Sequence, residues 1–428
     1  MNLSSTGSGP PLRQHTSHRR DQEPPQLALT GLLKVVRVED RRTIKDWLAL
    51  PYAVFADESA WIPPLDFHER RRISPKHASF FTFGEVALFI AYRGGVPVGR
   101  ISAQVNRRHL EYRRDGTGHF GFFDCLNDTE AADALVSTAA NWLRERGLLR
   151  MVGPLNFSLH EEGGCLVQGF ESPPAFLMPH ARPWTGALLE YARLTKEIDL
   201  FAYRVVPSRL PRRIHEIAEL ATRSGRISCR PLDMRRRDHE IRTMVEIFND
   251  AWRDNWGFVP FSHAEIEALL SDLPYLFLSG EYSRFVLLDG EPVGFTVSLQ
   301  NINEVIGSFN GRLLPFNWMH LLWFVKRERN RSTRVPLLGL KRAYQSSPMG
   351  ALILAQLVRE LVAQGHAYGQ HWVEFSWVLE TNTAMIKLVE RAGGPPVKIY
   401  RIFSRELTSS ARAGRPKAQV RHLCSKPQ

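Results

Sequence analysis

The sequence predicts an α/β protein built from one unit used twice, and three observations carry that expectation. The first is a pair of matching hairpins: Gly94-Gly95 followed by Pro97-Val98-Gly99, and Asp289-Gly290 followed by Pro292-Val293-Gly294, each flanked by apolar strand residues. Both dipeptides suit a tight two-residue turn. The second is that an amphipathic helix and then another apolar strand follow each hairpin in the same order. The third is length, since 428 residues accommodate two domains of roughly 100–200 residues each.

Taken along the chain, residues 1–26 are rich in Ser, Pro, Gly and charge and are expected to be a disordered tail. The first unit spans 27–206. Its helix starts at Thr129, read as the N-cap, and Ala132, Leu135, Ala139, Trp142 and Leu143 recur at helical spacing until Gly147. A strand over 149–154 follows. A short connector bracketed by Pro207 and Pro211 leads into the second unit, 207–407. There a strand over 335–340 runs into a loop of small residues and a helix marked by Ala351, Leu354, Val358, Leu361 and Val362, ending at Gly365; the strand 372–379 follows. Residues 408–428 hold five bases and no acid and are read as a second disordered tail.

Charge and composition narrow the function. The net charge is +12, of which the first tail carries +1 and the last +5, leaving +6 on the body. The densest body cluster runs from Lys326 to Arg342 with seven bases opposed by Glu328 alone. Positive charge placed this way favours a lipid surface or a phosphorylated ligand over a nucleic acid. No apolar run reaches the ~18–20 residues of a membrane span, and the N-terminus lacks a secretory signal pattern. Four widely spaced cysteines predict neither a disulfide framework nor a zinc site, and the histidines show no ligand spacing. A reducing, cytoplasmic setting is expected. Gly116-Thr117-Gly118-His119-Phe120-Gly121 matches a dinucleotide fingerprint by letter only. It follows charged residues and precedes Phe122-Phe123, not a helix.

The sharpest chemical pattern is Gln345-Ser346-Ser347-Pro348-Met349-Gly350, placed between a strand and a helix N-terminus. Free N–H groups and the positive end of the helix dipole make such a loop an anion site. Pro348 suits the first helical turn, and Gly350 is expected to let a phosphate approach the backbone. The stretch resembles the pyrophosphate loop of the GNAT superfamily of acyl-CoA N-acyltransferases, which reads Gln/Arg-x-x-Gly-x-Gly/Ala; here Pro348 replaces the first glycine. The later run from Val378 through Asn382 to Gly394 resembles the family's second signature, with Val389 where many members carry a tyrosine that protonates the departing thiolate. The first unit resembles the same fold with Asp124, Asp128 and Glu130 in place of a phosphate loop, which implies a degenerate partner that shapes the acceptor site.

A closer resemblance covers most of 45–405. Trp61-Ile62-Pro63-Pro64-Leu65, Gly153-Pro154-Leu155-Asn156-Phe157-Ser158, Met178-Pro179-His180 and Ser376-Trp377-Val378-Leu379-Glu380 are similar to bacterial tandem-GNAT proteins of the ceramide-synthase type. The resemblance implies two tandem GNAT-like domains with mixed sheets flanked by helices. It implies transfer of a fatty acyl group from acyl-CoA, or from an acyl-carrier-protein thioester, to the amine of a sphingoid base, with no permanently bound cofactor. Donor contacts are expected at Leu338, Leu340, Gln345, Ser346, Ser347, Met349, Gly350 and Asn382. For the base, Glu162, His180, Glu374 and Glu380 are candidates, with Tyr400 and Tyr344 as fallback acids; nothing in the sequence selects among them. A transferase using aminoacyl-tRNA and an inactive binding module stay open as alternatives. The apolar-basic stretch from Leu313 to Arg327 is either a buried helix or an interfacial anchor, and the lipid reading favours the anchor and a peripheral position on the membrane.

Overall fold

The computed structural model describes residues 31–157, 161–209, 211–261, 283–327 and 330–407. The expected tails, 1–26 and 408–428, lie outside the described residues, as do Ser158 and, in the basic cluster, Glu328 and Arg329.

The first unit runs β1 (Leu33–Arg37), α1 (Arg41–Val54), α2 (Asp66–Arg72), β2 (Gly84–Arg93), β3 (Val96–Asn106), α3 (Arg107–Arg113), β4 (Thr117–Cys125), α4 (Thr129–Glu145), β5 (Arg150–Gly153), β6 (Cys165–Gln168), α5 (Thr185–Tyr191) and β7 (Thr195–Val205). The second runs α6 (Arg212–Arg223), β8 (Ile227–Pro231), α7 (Arg237–Ala251), β9 (Arg284–Leu288), β10 (Glu291–Gln300), α8 (Asn303–Ile306), α9 (Asn317–Lys326), β11 (Ser332–Leu340), α10 (Pro348–Ala367), β12 (Trp372–Leu379), α11 (Thr383–Gly393) and β13 (Lys398–Glu406).

The two expected hairpins form. Gly94 and Gly95 both have positive φ, as do Asp289 and Gly290, the backbone of the tight turn whose twist matches paired strands. The letter-match to a dinucleotide loop lies in strand β4 from Thr117 on, with Gly116 just before it. Two helix boundaries differ from the sequence reading. Asp128, not Thr129, caps α4, because its carboxylate accepts the Ala131 N–H at 3.0 Å. The helix of the second unit continues through Gly365 to Ala367, and the left-handed residue that follows is Gly369.

The strands join in one sheet ordered β1-β2-β3-β4-β5-β13-β7-β12-β11-β10-β9-β8, with β6 beside β13. Within each unit four antiparallel strands lead to one parallel pair, β4 with β5 and β11 with β12. The final strand of each unit then crosses over. β7, which ends the first unit in sequence, pairs with β12, and β13, which ends the second, lies between β5 and β7. This exchange makes the sheet continuous. Tyr400, Ile402 and Phe403 of β13 are fully buried in the core that also holds α4 and β3.

Because β13 closes the sheet of the first unit, residues 27–206 expressed alone would leave β5 and β7 with open edges. We expect that fragment to show no cooperative melting transition, and Phe403→Ala in the whole chain to cost about 3–5 kcal/mol in chemical denaturation. A fragment that melts cooperatively by itself would contradict the interlock.

Candidate functional site

The site begins where β11 and β12 part. Their parallel pairing runs from Ser332 opposite Trp372 to Val335 opposite Phe375 and stops there. Each strand shifts register at that point against its other neighbour, β11 against β10 and β12 against β7. Past the shift, the Lys341 N–H donates to Val293 O on the β10 side. Strand alternation therefore turns the Leu340 and Leu338 N–H groups to the open side, toward the gap. The first unit has the same parting between β4 and β5, but there it is filled. The Leu155 N–H donates to Phe120 O at 2.7 Å, and a Cβ on Gly121 would lie 2.1 Å from Leu155 O.

One sheet face below the open parting is polar and buried. Register puts Arg334 of β11 opposite Glu374 of β12, and Glu374 opposite Arg204 of β7. Lys398 and Tyr400 of β13 lie opposite Ala202 and Leu200, on the same face as Arg204. Arg334, Glu374, Lys398 and Tyr400 are all at most 1 % exposed. A strap, residues 169–178, crosses this face and is held by its cations. Lys398 donates to the carbonyls of Gly169 and Ser172, Arg204 to Pro173 O at 3.3 Å, and Arg334 to Phe176 O and Leu177 O at 2.9 and 3.0 Å. Arg334 also donates to Ser376 Oγ at 3.0 Å and stacks on Trp377, 4.7 Å from the ring centre.

Beyond the strap stands His180, its side chain 1 % exposed, with Nε2 3.9 Å from Glu58. The neighbouring Arg182 makes a two-pronged pair with Asp57 at 2.8 and 3.0 Å. Burial, then the nearby charges of Lys398 and Arg182, lowers the His180 pKa to about 4, so the ring is neutral at pH 7. Burial and then Arg204 lower Lys398 to about 8. Burial, reinforced by the Glu374 charge, holds the Tyr400 phenol well above its ordinary value.

Most buried polar groups in folded proteins are hydrogen-bonded. Here several are not. Glu374 accepts Arg204 Nε at 3.1 Å through one oxygen, while its other oxygen, the Tyr400 hydroxyl, both His180 ring nitrogens and Trp377 Nε1 have no hydrogen-bond partner among the described residues. A buried carboxylate oxygen and a phenol left uncommitted on one sheet face, with a neutral imidazole beyond the strap, are groups that proton transfer can use.

The expected donor loop sits at the other end of β11. Ser347 caps α10, its hydroxyl accepting the Gly350 N–H at 3.0 Å and donating to Tyr344 O at 2.7 Å. The Gln345 amide donates to Leu340 O at 2.8 Å and Ala251 O at 3.1 Å. Ser346 adopts φ 57° and is exposed. Gly350 also has a reason within the loop itself: the space a Cβ would occupy is taken by Tyr344 O, 2.0 Å away. The glycine is required by the loop's own backbone. Asn382 caps α11 by accepting the Met385 N–H at 3.1 Å, and Val389 is buried under that helix.

Of the four candidate bases, Glu374 lies on the buried polar face, and His180 stands beyond the strap, near enough to Lys398 to feel its charge. Glu162 lies at the margin of that face, bound to Arg72 at 3.1 Å and Asn156 Nδ2 at 2.7 Å, and its charge is felt at Tyr400 and Arg334. Glu380 stands apart in a partly exposed pair with Lys196 at 2.7 Å. Sequence reasoning missed Arg204, Arg334 and Lys398. The available signal was a full charge inside an apolar strand pattern, as in Val397-Lys398-Ile399, since Lys and Arg are rarely buried unless paired.

No family model matches the chain. The bacterial ceramide synthase of Caulobacter vibrioides is 39% identical over 381 residues, covering 88% of this chain and 98% of that protein. This chain belongs to the bacterial ceramide synthase family. Protein YghO of Escherichia coli is 34% identical over 373 residues, 86% of this chain and 94% of its own length. Among solved structures, a tandem GNAT protein from the clavulanic acid biosynthesis pathway matches with TM-score 0.51 and 13% identity over 89% of this chain and 100% of its own. A GCN5-related N-acetyltransferase from Sphaerobacter thermophilus gives TM-score 0.50 and 12% identity, covering 88% and 96%. These structural likenesses establish the tandem GNAT fold. With the family, they make the chain an acyltransferase.

The His180 shift has a measurable consequence. Its folded pKa lies below the ordinary 6.5, so between pH ~6.5 and ~4 the unfolded chain binds the extra proton and folding stability falls as pH falls. His180→Gln is expected to remove up to about 3 kcal/mol from the stability difference between pH 7 and pH 4 in urea titrations. An unchanged difference would show that the ring is not held neutral by its burial.

Proposed function

We propose that this acyltransferase moves a fatty acyl group from acyl-CoA to the amine of a sphingoid base, working in the cytoplasm at the inner face of the membrane. The observation that carries the reading is the 39% match to a bacterial ceramide synthase along nearly the whole of that protein. The open parting of β11 and β12 beside uncommitted buried acid and base groups supports it.

In this reading the donor's phosphates lie against Gln345, Ser346, Ser347 and Met349 at the start of α10, and the Leu338 and Leu340 N–H groups polarise the thioester carbonyl. The amine nitrogen attacks the carbonyl carbon, the C–N bond forms and the C–S bond breaks. The proton lost by the amine goes to Glu374, and the Tyr400 hydroxyl protonates the departing thiolate, the role for which Val389 is unsuited. The two transfers assist each other. The Glu374 charge is one cause of the high Tyr400 pKa, so a protonated Glu374 makes the phenol a better acid and then restores its proton.

Purified protein incubated with palmitoyl-CoA and sphinganine should yield the amide by mass spectrometry, with one free thiol per amide. Tyr400→Phe and Glu374→Gln should each lower kcat by about 10²–10⁴, while Ser346→Glu should raise the donor KM and spare kcat. No amide from any long-chain amine, or full activity in both acid–base variants, would refute the assignment.

A further inference from the structure

We infer that α9 and the turn before it form a docking surface for an anionic lipid bilayer. The α9 sequence is apolar at seven of ten positions, Trp318, Met319, Leu321, Leu322, Trp323, Phe324 and Val325. Among the described residues one side of the helix is covered: Leu321 and Phe324 pack on Ile302, Val305, Ile306 and Phe309 with Leu65 of the first unit. The opposite side is left in water. Leu314 is 73 % and Phe316 71 % exposed, and Trp318, Met319, Leu322 and Trp323 are between 42 and 49 % exposed. Scattered exposed apolar residues are ordinary, but a contiguous patch of this kind marks a binding surface.

The rim of the patch decides what binds there. Arg312 precedes it, and Lys326 and Arg327 close it, all exposed; Arg327 also lies 5.6 Å over the Trp323 ring. Tryptophans between an apolar body and a cationic edge suit the headgroup level of a bilayer, where the rings enter the acyl boundary and the bases meet anionic headgroups. A ten-residue helix cannot span, and among the described residues no helix is long and apolar enough to cross a membrane. The helix therefore lies on the surface.

Its position relative to the strap gives docking a purpose. Phe176, whose carbonyl is held by Arg334, packs both on the α9 cluster and on the cluster beneath β10 and β11. A bilayer seated on α9 thus lies next to the segment that covers the polar face, and a long-chain amine would pass from the membrane to the site beside that strap. This delivery rests on the proposed function; the docking stands on the surface alone.

The test is co-sedimentation of the full chain with phosphatidylglycerol–phosphatidylethanolamine vesicles and with phosphatidylcholine vesicles. Wild type should pellet with the anionic vesicles, and binding should weaken with added salt. Phe316→Glu/Trp318→Glu and Lys326→Glu/Arg327→Glu should each weaken binding about tenfold or more. Melting temperatures should stay near wild type, because these side chains are exposed. Wild type left in the supernatant with every vesicle, or variants that bind as well as wild type, would overturn the docking. So would a dimer that the same variants dissociate, in a protein that ignores vesicles. Amide formation in detergent is scored separately: amide without vesicle binding refutes the docking alone, and vesicle binding without amide refutes the acyl-transfer reading alone.

Discussion

Three cations holding the main chain of one segment, Arg334 and Lys398 fully buried and Arg204 partly so, are the constraint on which the rest depends. Arg204, Arg334 and Lys398 come from three strands, and together they bind five carbonyls of residues 169–178. Removing a charge from water is costly unless it is paired and hydrogen-bonded. Here the carbonyls and the Glu374 carboxylate supply the compensation. The balance leaves Glu374 with one oxygen uncommitted, and it leaves the strap pinned across the face where β12 and β13 present their polar side chains. A packed apolar face would be at least as stable. The persistence of a charged one, at the parting of two strands, is what marks it as a site.

The strand exchange makes that face possible. Arg334 and Glu374 come from the second unit in sequence, and Arg204 ends the first. Lys398 and Tyr400 sit on a strand that has crossed into the first unit's sheet. Neither unit alone assembles the cluster. The first unit's own parting is filled by Leu155 and its neighbours, so duplication has given one open cleft and one closed one. The closed copy contributes the strap, His180 and the Asp57–Glu58 turn that braces it.

The repeat was legible because local chemistry dictates it. Two-residue turns of left-handed residues, helical spacing of Leu and Ala, and a proline at the first turn of α10 each declare themselves within a few positions. The strand exchange was not legible, because strand pairing at long range depends on packing that no local pattern encodes. The site divided along the same line. Ser347 and Gly350 stand in a contiguous motif, in which Tyr344 O takes the place a Gly350 Cβ would need. Glu374 was named as one candidate base among four. Its partners Arg204, Arg334 and Lys398 are scattered over nearly two hundred residues, and only the register of four strands brings them together with it.

The chain is an acyltransferase whose proposed chemistry sits on a buried, strapped face beside an open strand parting. The most direct measurement is a crystal structure with a thioether analogue of a long-chain acyl-CoA, in which the reactive thioester is replaced by a stable link. The phosphates should lie at 345–350, the acyl carbon between β11 and β12, and the sulfur either within about 3.5 Å of the Tyr400 hydroxyl or joined to it by one bridging water. An analogue bound with its sulfur remote from Tyr400 and Glu374 would contradict the assignment.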